Sequence, residues 1–182
     1  MKALFRDVSE EDARADPYDG PHGFLLGVFS LEEIADQYFR AANLLVDSIK
    51  NKSSVDYELA YPVLYLYRHA IEIRLKSLMG STSTHHRLDT LSGDLVKFAR
   101  TRFQQEVPTW VTKLLRELAG IDPTSQAFRY GEDKYGDGNR QMSVPYETYV
   151  RLSELHERLN QLYESLKHAA EQVREKQGER VP

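Results

Sequence analysis

The chain contains no cysteine. That excludes disulfides, thiolate metal centres, iron–sulfur clusters and cysteine nucleophiles together, and it fits a reducing cytoplasm. No apolar run approaches the ~18 residues that a membrane span needs. The first segment, MKALFRDVSEEDARADP, is acidic and lacks the apolar core of a secretory leader. The Walker A pattern, G-x-G-x-x-G and G-x-S-x-G are all absent, and GDGN is too short for a calcium loop. The expectation is a cytoplasmic protein with no cofactor, no metal and no membrane association. A net charge of −4 argues against a surface that is basic throughout, while leaving room for a local basic patch.

What remains is ample for a core. The 182 residues are 41% hydrophobic and 29% charged, the composition of one globular domain. Residues 1–29 read as an N-terminal arm, dense in turn formers at DPYDGPHG. Residues 30–176 read as a helical domain, and 177–182 as a fraying end.

Helical periodicity is strong. Ser30 and Glu33 form a capping-box pattern before an apolar stripe of Ile34, Tyr38, Ala41, Leu45 and Ile49, which predicts a helix over 31–50. A second helix is expected to start near Ser53 or Ser54 and to stop at Gly80. Pro62 either kinks it or marks its first turn. Further helices are predicted over 88–103 and 109–119, the latter ended by Gly120. Residues 121–145 lack a helical period, and Phe128–Tyr130 and QMSV are candidates for a short hairpin. The last helix is predicted over 146–176. Its Leu152, Leu155, Leu159, Leu162, Leu166, Ala169 and Val173 form an a/d heptad seam, for packing within the bundle or across a dimer. The fold expected is all-α: a five-helix bundle with an irregular loop or short hairpin before the long C-terminal helix.

Four groups of residues have the types that chemistry needs. Arg68, Glu72 and Lys76 stand at i, i+4, i+8 inside an almost wholly apolar helix, with His69 beside them. They read as an internal ion-pair network, a ligand or catalytic site, or an exposed face. His85 and Asp89 share a helical spacing, but a metal site needs more ligands than this segment supplies. Adjacent histidines at a helix start more often cap the helix or bond a carboxylate. Phe128, Arg129 and Tyr130 suit base stacking and phosphate contact. They equally suit a loop pinned to the bundle, with Arg129 meeting Glu72 or Asp133. Finally, Arg151 and His156 give R-x4-H on the last helix, about 140° apart around its axis. In the heptad frame they flank the seam on opposite sides. Arginine holds phosphate and histidine moves protons, so the pair has the types for phosphodiester cleavage.

Arg68, His69, Ala70, Glu72, Leu75 and Lys76, followed by His86, Leu88 and Leu91, resemble the HEPN superfamily of helical domains. The run from Asp122 to Tyr130 is similar to a divergent prokaryotic branch of it. The resemblance implies a homodimeric, HEPN-like bundle. It also implies RNA binding, or metal-independent endoribonuclease activity with Arg151 and His156 as the catalytic pair, in a toxin–antitoxin or phage-defence setting. RNA and an antitoxin or defence partner protein are the implied partners. The family usually carries a polar residue directly after the arginine, and Leu152 stands there instead. Arg68, His69, Glu72, His86 and Arg129 are then an alternative binding site or a structural network. The alternative function is a non-catalytic helical interaction module for a partner protein or nucleotide.

Overall fold

The computed structural model describes residues 29–130, 132–134, 140–142 and 148–178, together with residues 10 and 14. The chain divides into two units, Met1–Ser30 and Leu31–Pro182. In the first, the expected arm lies almost wholly outside the described residues. Arg14 there pairs with Glu10 at 3.3 Å.

The second unit is all-helical apart from one small hairpin. It comprises α1 (Leu31–Lys50), α2 (Asp56–Met79), α3 (Leu88–Phe103), α4 (Thr109–Ile121), the single turn α5 (Ala127–Tyr130) and α6 (Leu152–Gly178). Strands β1 (Glu132–Lys134) and β2 (Arg140–Met142) pair antiparallel, with Asp133 opposite Gln141. Phe128–Tyr130 is therefore helical rather than a strand, and the first strand comes immediately after it. The expected turn between the strands, and residues 143–147 before α6, lie outside the described residues.

The α1–α2 hairpin is the centre of the bundle. Ala35, Phe39, Ala42 and Val46 form one buried stripe of α1. Helix α2 is buried on most of its circumference, from Val63 to Leu78, because α1, α3, α5 and α6 all pack on it. This explains its near-continuous apolar composition. Pro62 lies inside α2, so it does not mark the first turn. The expected serine cap is absent. Val55 holds the N-cap position, while Ser53 Oγ donates back to the Ser48 carbonyl at 2.9 Å and closes the end of α1. Gly80 ends α2 in the left-handed conformation at φ 60°, where its lack of a Cβ removes the steric penalty.

Helix α4 passes through Gly120 to Ile121, one turn-closing residue beyond the expected stop. Helix α6 starts at Leu152, later than its sequence pattern implies, with residues 148–150 non-helical. Its seam is intramolecular. Leu159, Leu162 and Leu166 are buried in the core, and Leu152, Leu155, Ala169 and Val173 pack on its edge. Tyr163 adds to the seam by stacking on Phe39, ring centres 3.8 Å apart. No helix among the described residues is long and apolar enough to cross a membrane.

Candidate functional site

The charged stripe of α2 is enclosed. Arg68 is fully buried and Glu72 nearly so. Arg68 Nη1 donates to Glu72 Oε2 at 3.0 Å. Its Nη2 donates to the His86 carbonyl at 2.6 Å, and its Nε to the Asp122 carbonyl at 3.2 Å, with the Asp122 carboxylate 3.0 Å away. The other Glu72 oxygen accepts from Lys76 Nζ at 2.9 Å and from His86 Nδ1 at 2.7 Å. Asp122 Oδ1 in turn accepts the Ala127 amide at 3.0 Å and starts α5. One guanidinium thus ties the loop before α3 and the loop after α4 to the central helix. Burial works against ionised Glu72, but the Lys76 and His86 bonds outweigh it and hold the carboxyl below its ordinary range. Arg68 and Glu72 are closed in on their partners, which is the arrangement of a structural hub.

His69 and Arg129 form a neighbouring aromatic group. The His69 ring stacks on Tyr65 at 5.4 Å and meets the Tyr38 ring edge-on at 4.7 Å. Burial lowers its pKa. The Arg129 guanidinium lies over the Tyr65 ring, 4.9 Å from its centre. It does not join Glu72, whose oxygens are already taken by Arg68, Lys76 and His86. Phe128 is buried edge-on to Tyr61 and pins α5 to α2, as the anchoring alternative expected. The Asp89 carboxylate is engaged by Arg87 at 2.8 Å. Among the described residues no group of three or more metal-ligating side chains exists.

Arg151 and His156 stand apart from both groups. Arg151 precedes α6, and its carbonyl accepts the Leu155 amide at 3.0 Å, the N-cap relation. Its side chain is exposed and forms no ion pair with a described residue. Tyr149, two residues earlier, is 87% exposed. His156 is half-buried against α1 and α2. Its Nδ1 lies 2.9 Å from Tyr67 Oη and 3.2 Å from Asn160 Nδ2. Tyr67 Oη donates to Asn43 Oδ1 at 2.6 Å, and the Asn43 and Asn160 amides approach each other at 3.3 Å. Burial and the charge of Lys50 lower the His156 pKa, partly opposed by Asp47. Burial drives the Tyr67 phenol upward, out of the physiological range. His156 is therefore neutral near pH 7, with Lys50 and Asp47 on the adjacent α1.

Asn43, Tyr67 and Asn160 escape a reading by motif, because each comes from a different helix position with no local spacing. The available signal is two asparagines placed mid-helix, where they are poor helix formers unless side-chain bonds compensate. Arg74 also lies outside the motifs. It is buried in α2 without an i±4 carboxylate, and it reaches Asp36 at 2.6 Å and Tyr163 Oη at 3.1 Å.

Open depressions lie among the described residues. One of about 390 Å³ lies at Ile49 and residues 52–56, and one of about 310 Å³ lies between the ends of α2 and α6. Neither is lined by Arg68, Arg151 or His156. Compared with protein-family models, curated proteins and solved structures, the chain matches none.

Proposed function

We propose that this chain is a HEPN-like domain that binds RNA and cleaves it without a metal ion, Arg151 and His156 forming the catalytic pair. The observation that carries the reading is the state of His156. It is a half-buried imidazole with a lowered pKa, bonded through Nδ1 to a polar network, with an exposed arginine that forms no ion pair among the described residues less than two turns away. A base must be neutral at the working pH to accept a proton. Lys50 beside it adds positive charge where a phosphate would sit, and the exposed Tyr149 next to Arg151 offers a stacking face for a base.

The chemistry follows from those positions. The ribose 2′-oxygen bonds to the adjacent phosphorus as its proton passes to His156. The bond from phosphorus to the 5′-oxygen breaks, and the departing oxygen takes a proton from water. Arg151 stabilises the charge that builds on the phosphoryl oxygens. The products are a 2′,3′-cyclic phosphate and a 5′-hydroxyl. DNA, lacking the 2′-hydroxyl, is not a substrate.

Incubation of the purified chain with single-stranded and structured RNA in EDTA tests this. Cleavage should occur, and Arg151→Ala and His156→Ala should each lower it by about a hundredfold or more. The rate should rise with pH through a His156 pKa below the ordinary 6.5. Equal activity in all three proteins would remove the pair. A chain that binds RNA without cutting it would instead favour the interaction-module reading. That reading has its own support in the exposed Leu44, Tyr57 and Tyr61.

A further inference from the structure

The polar network behind His156 favours one arrangement of hydrogens. Asn160 Nδ2 carries two. One goes to the His156 carbonyl at 2.7 Å and the other to Asn43 Oδ1 at 3.3 Å. Neither remains for His156 Nδ1, which lies within 3.2 Å. Asn43 Nδ2 spends a hydrogen on Asn160 Oδ1 at 3.3 Å. Tyr67 has a single hydroxyl hydrogen. Asn43 Oδ1, 2.6 Å away, accepts it, because an amide oxygen has no hydrogen to give. With its hydrogen on Asn43, the Tyr67 oxygen faces His156 Nδ1 as an acceptor, 2.9 Å away. The chain of donors runs from His156 Nδ1–H to Tyr67 O–H to Asn43 Oδ1.

We propose that Tyr67 and Asn43 are positioning residues that hold His156 as the Nδ1–H tautomer, leaving Nε2 as a proton acceptor open to solvent. Nε2 meets no hydrogen-bond partner among the described residues and is not one of the enclosed unpartnered atoms. Free histidine favours the opposite tautomer, with Nε2 protonated, so the network reverses the intrinsic preference. A hydrogen bond to one ring nitrogen is the usual means of setting the role of the other. The use of that acceptor in RNA cleavage rests on the function proposed above, but the tautomer itself does not.

The test is a ¹⁵N-edited NMR measurement of the histidine ring nitrogens, with His156 assigned by the His156→Gln variant. In the native chain, Nε2 should have the shift of an unprotonated nitrogen and Nδ1 that of a protonated one. Tyr67→Phe keeps the ring that packs on Phe39 and removes only the hydroxyl. It should return His156 to the Nε2–H form and lower RNA cleavage by at least about tenfold. Asn43→Asp keeps an acceptor for the Tyr67 hydroxyl and should keep the native tautomer, whereas Asn43→Leu should lose it. Circular dichroism melts confirm that each variant is folded. An Nε2–H tautomer in the native chain overturns the proposal, as does a Tyr67→Phe variant with unchanged spectrum and full activity. A native chain with the Nδ1–H tautomer but no ribonuclease activity upholds the positioning role and rejects the cleavage reading, so the two failures are distinguishable.

Discussion

Arg68 shows how a buried charge is made tolerable, and at what risk. Its guanidinium exchanges water for two carboxylates and two carbonyl oxygens, all within 3.2 Å. The net stabilisation from such a cluster is modest, because desolvation cancels much of the Coulombic gain. Removing one member is another matter. Arg68→Met keeps the aliphatic volume but removes the guanidinium from Asp122 and weakens the hold on Glu72. The variant should lose about 3–5 kcal/mol of folding stability, measured by urea denaturation. Native stability in the variant would place the cluster outside the hub role described here. The acid dependence of this cluster has a defined sign. The folded Glu72 carboxyl titrates below its ordinary value, so its contribution is complete above the unfolded value and disappears as pH falls through the folded one. Sequence spacing alone brings Arg68, Glu72 and Lys76 together. The resemblance adds His86 to them but not the Asp122 carboxylate, and both join only because the loops flanking the α3–α4 pair return to α2.

At the scale of elements, the helices whose ends are local were the legible ones. Helix α3 runs from Leu88 to Phe103, the range its apolar period marks. Helix α4 overran Gly120 because a helical glycine costs only about 1 kcal/mol. Its end is set instead by Asp122, which is drawn out of the helix toward Arg68. Phe128–Tyr130 looked like a strand for its aromatics and became a helical turn, held by the Asp122 bond to the Ala127 amide. The end of α3 also leaves a correctable strain. Gln104 occupies the left-handed region at φ 53°, its amide bonded to the Arg100 carbonyl at 3.1 Å, where a Cβ is unfavourable. Gln104→Gly should stabilise the fold by about 0.5–1 kcal/mol, read from the same denaturation curves. A lower midpoint would mean that the glutamine side chain has a compensating role.

For the whole molecule, the proposed cleavage requires Arg151 and His156 to meet. Within one chain they form no hydrogen bond with each other, and the leucine seam that suggested a dimer is spent inside the bundle. A two-fold partner would therefore have to use other surface, and Leu44 on α1, with Tyr149 and Val150 beside Arg151, is exposed. A composite site makes a prediction that no single-chain site shares. Arg151→Ala and His156→Ala proteins, each inactive alone, are mixed under conditions that exchange subunits. If arginine comes from one copy and histidine from the other, half of the dimers become mixed, and each mixed dimer has one intact site of two. The mixture should then recover about a quarter of native RNA cleavage, the value fixed by two-fold symmetry. No recovery in a mixture that mass photometry shows to be dimeric and exchanged would place the pair within one chain. A monomer at every concentration tested would remove the composite site altogether.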